Sequence, residues 1–127
     1  MGFFSKLKDE KMWLAAAEQG DMGACIKLGH CYYNKGKIEE ATKWFSKPAE
    51  KGNAEAQFML GHCYSDYEPY ECADNDAINP MIWFTKSAEQ GYKKAMFHLI
   101  ELYRDQETEL FDKEKGDYWV KRLSEVL

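Results

Sequence analysis

The chain has 127 residues, 45% of them hydrophobic and 31% charged, which is enough apolar material for one packed domain. A net charge of −5 argues against nucleic acid or an anionic lipid surface as a ligand. No apolar run approaches the roughly 18 residues that a membrane span needs, so no membrane association is expected.

The elements are read in chain order. Met1-Gly2-Phe3-Phe4-Ser5-Lys6 has too short an apolar stretch for a secretory signal, and Lys6 stands where a myristoylation motif needs Ser or Thr. A first helix over residues 4–18 carries Met12, Trp13 and Ala17 on one face and ends at Gly20. Asp21 caps a second helix over 22–34, where Ala24, Cys25, Cys31 and Tyr32 lie within about 60° of Leu28. After a turn at Lys35-Gly36, a third helix over 37–51 places Ala41, Trp44, Phe45 and Ala49 on its buried side. Pro48 removes one of its hydrogen bonds and should bend or shorten it. Asn53 caps a fourth helix over 54–66, centred on Leu60. A loop rich in acids follows, and Asp76 is the expected cap of a fifth helix over 77–90 bearing Ile82, Trp83, Phe84 and Ala88. The sixth helix, 93–104, begins at Tyr92, which offers no capping oxygen acceptor of the usual kind. The seventh, 112–126, starts at Asp112 and buries Tyr118, Trp119 and Leu123.

These helices repeat. Ala24-Cys25-Ile26-Lys27-Leu28-Gly29-His30-Cys31-Tyr32 returns 32 residues later as Ala56-Gln57-Phe58-Met59-Leu60-Gly61-His62-Cys63-Tyr64. It returns again after 39 more as Ala95-Met96-Phe97-His98-Leu99-Ile100-Glu101-Leu102-Tyr103. Ala17-Glu18-Gln19-Gly20, Ala49-Glu50-Lys51-Gly52 and Ala88-Glu89-Gln90-Gly91 keep the same two spacings. Periods of this size mark stacked helical units that bury their apolar faces against one another. The expected organisation is a single domain, 1–127, with units at about 4–20, 21–52, 53–91 and 92–127.

The pattern Ala-x-x-x-Leu-Gly-x-x-Tyr, followed by second helices with Trp44, Ala49 and Gly52 or Trp83, Ala88 and Gly91, resembles the Sel-one-like repeat family, a branch of the tetratricopeptide-like solenoids. The resemblance spans roughly residues 9–127. The first unit is shorter and is similar to an ordinary tetratricopeptide unit through Leu28, Gly29, Tyr32, Gly36, Ala41 and Phe45. Ile100 stands where a glycine would allow close helix approach, and Gly116 where alanine is the rule. The resemblance implies an all-α, right-handed α-α solenoid of about three helix pairs with an N-terminal half-repeat. It further implies an adaptor or scaffold that binds protein; bacterial members occur in secretion, signalling and toxin–antitoxin settings.

Catalytic and metal chemistry find no constellation. The twice-repeated Gly-His-Cys-Tyr invites a zinc site from His30, Cys31, His62 and Cys63, but His30 lies about 200° and Cys31 about 300° from Leu28, on different faces. Leu102 fills the cysteine slot of the third copy, so these thiols read as core filler. No nucleophile motif or phosphate-binding glycine loop occurs, and the paired cysteines of the β-lactamase-like members are absent. The expectation is no enzyme, no metal and no cofactor, with the four cysteines reduced in a cytoplasmic protein.

The face opposite the Leu stripe carries Ile26, His30, Tyr33 and Asn34, then Phe58, His62 and Asp66, then Phe97, Glu101 and Arg104. Three large apolar residues in register there predict a partner-binding groove, or else a face covered by a terminal helix of the same chain. The loop between helices four and five adds Glu68, Glu71 and Asp74, an acidic surface for a basic partner. The leading reading is a non-catalytic adaptor holding one dedicated protein through groove and loop. The alternative is an immunity protein neutralising a bacterial toxin, with a small hydrolase a distant third.

Overall fold

Local helical periodicity dominates the computed structural model, which describes residues 3–67 and 78–127. Its elements are α1 (Phe3–Glu18), α2 (Met22–Asn34), α3 (Ile38–Glu50), α4 (Ala54–Tyr67), α5 (Pro80–Glu89), α6 (Lys93–Arg104) and α7 (Lys113–Val126). Among the described residues there is no strand, and each helix packs against the next one along the chain. The protein is all-α.

The punctuation expected from the residues does most of the work at the helix ends. Gly20, Gly52 and Gly91 have φ of 95°, 98° and 87°, a left-handed turn open to glycine at little cost. The Asp21 carboxylate accepts from the Ala24 N–H at 3.1 Å, Asn53 from Ala56 at 2.9 Å and Asp112 from Lys115 at 3.1 Å. Tyr92 makes no side-chain cap, as its ring dictates. One expectation is corrected. α5 begins at Pro80, not 77, because Asn79 accepts from the Met81 N–H at 3.0 Å and proline suits the first helical position; Asp76 lies outside the described residues. Pro48 lies inside α3, which runs on to Glu50, with the ring fully buried.

The core forms three clusters among the described residues, each built from one second helix and the first helix that follows it. Ala17 of α1 meets Ala24, Cys25 and Leu28 of α2, with Trp13 and Trp44 at the edge. Phe45 and Ala49 of α3 meet Ala56, Leu60 and Cys63 of α4, closed by Trp83. Phe84 and Ala88 of α5 meet Ala95, Met96 and Leu99 of α6, closed by Trp119 and Leu123 of α7. The neighbours Trp83 and Phe84 therefore enter successive clusters, which ties each cluster to the next. Polar groups join the same layers: Gln57 donates to the Ala49 carbonyl at 3.2 Å and accepts from Gln90 at 2.8 Å, while Ser87 donates to the Ala54 carbonyl at 2.7 Å.

Glycine sets the closest helix approach. A Cβ on Gly29 would come within 2.6 Å of the Phe45 ring, and one on Gly61 within 2.7 Å of the Phe84 ring. Both rings are fully buried under the bare backbone. Ile100 occupies the corresponding position on α6, half-buried against the last cluster. Gly116 of α7 is buried, and its Cβ would stand 3.1 Å from Arg104 Cγ.

Candidate functional site

The residues opposite the Leu stripe sit on α2, α4 and α6, and the structure divides them into two kinds. Ile26 and Tyr33 are half-buried against the Phe45–Leu60 cluster, and Phe58 is half-buried against the Phe84–Leu99 cluster. These side chains pack one layer onto the next. Phe97 is different: half of it, 50%, is exposed. Glu101 and Arg104 share its helix and are exposed, as are Asn34 and Asp66 on α2 and α4. Arg104 reaches across to Asp117 of α7 at 3.2 Å, an exposed pair of small energetic value. The apolar strip expected from the sequence is thus largely used for packing between layers, and its open part is centred on Phe97.

His30 and His62 hold corresponding positions but have different surroundings. His30 lies edge-on to Phe45 and pairs through Nε2 with Glu55 Oε1 at 2.8 Å, a bridge from α2 to α4. His62 enters an aromatic cluster with Phe58, Phe84 and His98, at ring-centroid distances of 4.5, 5.1 and 4.8 Å. His98 also lies 4.5 Å from Phe84, and its Nε2 is buried with no hydrogen-bond partner among the described residues. Tyr92 completes the group, 5.5 Å from Phe58. His98 escaped the sequence reading because it sits one residue before Leu99, between the core stripe and the opposite face. Its histidine identity at a slot filled by Lys27 and Met59 in the other copies was the available signal.

Burial, reinforced by the nearby His98, pushes His62 down to about 4, and burial also lowers His98. Both rings are neutral in the fold at neutral pH. The unfolded chain takes up these protons near the ordinary histidine value of about 6.5, so it binds more protons than the native state below that pH. Stability should accordingly be complete above about pH 6.5 and fall as the pH drops toward 4. Chemical denaturation at pH 7 and pH 5 checks this: the drop in midpoint should be smaller in a His62→Gln, His98→Gln variant. An equal drop would assign the acid sensitivity to the carboxylates alone.

The thiols have separate neighbours. Cys31 donates to Glu10 Oε1 on α1 at 3.0 Å, away from His30, whose partner is on α4. Cys63 is fully buried, and burial raises its thiol to about 11, far from a reactive thiolate. Cys25, Cys31 and Cys63 are unbridged. Among the described residues no three His, Cys, Asp or Glu side chains converge to hold a metal ion, and no helix is long and apolar enough to cross a membrane. Glu68, Glu71 and Asp74 of the acidic loop lie outside the described residues. No protein-family model matches the chain, and no curated protein matches it either.

Proposed function

We propose that this chain is a non-catalytic protein-interaction module of the Sel-one-like kind, a right-handed solenoid of about three helix pairs with a leading half-unit. The repeated Leu, Gly and Tyr positions and the succession of equivalent core layers support that architecture. The single observation that carries the binding role is Phe97. It matches Ile26 and Phe58 in register, yet it presents half of its surface to solvent beside the exposed Glu101 and Arg104. A large aromatic framed by both charges is the composition of an anchoring contact for another protein.

Phe97→Glu tests the role. The substitution should leave helicity and the thermal midpoint close to wild type, because the ring contributes little to the buried clusters. Recovery of the wild-type partner on the immobilised variant should fall by about tenfold or more, the loss expected when an interface anchor is replaced by a charge. Undiminished recovery by a folded variant would reject this face as the contact.

A further inference from the structure

His62 and His98 form a pair that apolar packing alone does not explain. Their rings come from α4 and α6, helices that are not consecutive in the chain, and the centroids lie 4.8 Å apart with planes inclined by 47°. Two imidazoles bound to one tetrahedral ion through nitrogens at about 2.0–2.1 Å place their centroids about 5 Å apart. The spacing of the pair therefore matches two ligands of one metal. His98 Nε2 is buried and makes no hydrogen bond among the described residues, and a buried nitrogen in that state calls for a water or an ion. His30, in the position corresponding to His62, has Glu55 as its partner at 2.8 Å instead.

We propose that α4 and α6 hold a divalent transition-metal ion of the zinc class between His62 and His98, with Asp66 and Glu101 as carboxylate ligands. Asp66 stands four residues after His62 on α4, and Glu101 three after His98 on α6, the two separations that put helical side chains on one face. Each is the carboxylate whose charge acts on its own histidine. Both are exposed, so they can turn toward an ion without giving up a buried contact. The imidazoles are already together and the carboxylates close on the ion, which is why no three ligands converge among the described residues beforehand. Two nitrogens and two oxygens suit zinc and its borderline neighbours, whereas magnesium and calcium take oxygen ligands. The carboxylates also balance a divalent charge beside Phe58 and Phe84, where an unpaired charge is costly. No thiolate takes part: Cys63 is sealed in the preceding cluster. This set shares only His62 with the His30, Cys31, His62 and Cys63 combination that helix geometry opposes.

Zinc titrated into the folded full chain should bind at one equivalent and, in large excess, raise the thermal midpoint by about 5 °C or more. Magnesium at the same concentration should do neither. A His62→Gln, His98→Gln variant should lose the response, with its midpoint compared against its own metal-free value so that damage to the fold is subtracted. Asp66→Asn with Glu101→Gln, at exposed positions, should keep the fold and weaken zinc binding by about tenfold or more. Cobalt(II) in place of zinc should show the visible bands of a nitrogen and oxygen site and no thiolate charge-transfer band. Failure to bind one equivalent, or binding equally tight in the double-histidine variant, would overturn the proposal. So would a thiolate band, which would move the ion to the cysteines. The measurements need only the chain and the metal, so they stand apart from the outcome at Phe97.

Discussion

Phe84→Ala should lower stability by about 3–5 kcal/mol, the range for deleting a fully buried phenylalanine. The ring has no exposed surface and joins three elements: it lies under Gly61 of α4, belongs to the cluster of Ala88, Met96 and Leu99, and stands against both His62 and His98. Collapse cannot fill the space easily, because the residue above it is a glycine with no side chain to lean inward. The loss should also free the two histidines from their aromatic surroundings and return them toward ordinary values. Equilibrium denaturation gives the energy, and histidine titration by NMR gives the second effect. A midpoint close to wild type would contradict the close approach of α4 and α5.

Leu60→Ala should cost about 2–5 kcal/mol by the same reasoning. Leu60 is 1% exposed at the centre of the middle cluster, between Phe45 and Ala49 on α3 and Trp83 on α5. The middle cluster draws on α3, α4 and α5 together, so the damage should spread: these helices should lose protection from hydrogen exchange together rather than α4 alone. Loss confined to one helix would show that the layers are weakly coupled. Leu28→Ala, in the cluster at the α1 end, offers an internal comparison of the same chemistry at an equally buried position in another layer.

The face opposite the Leu stripe was only partly legible in the sequence. The helical wheel assigned Ile26, Phe58 and Phe97 to one angle, and they do share it. The wheel fixes a direction around one helix axis, whereas exposure depends on what the neighbouring helices bring to that side. Tyr92 and His98 lie against Phe58, so it packs; Phe97, on the last of the three helices, remains half open. The same limit hid the His62–His98 contact, which links residues on different helices at angles that no single wheel compares.

The sequence by itself determined the positions of the described helices, the caps at Asp21, Asn53 and Asp112, and most residues of each core layer. These depend on local facts: apolar positions recurring at the helical period, glycine alone tolerating the left-handed turn, and Asp or Asn supplying an acceptor at a helix start. Only the tertiary structure decided which side of a histidine or phenylalanine is covered, that Pro48 is fully buried within α3, and that Trp13 is half-buried where Phe45 and Phe84 are fully buried. Those outcomes depend on the distance and angle at which separate helices meet. Burial is a property of both surfaces at a contact, and each segment of sequence specifies only its own.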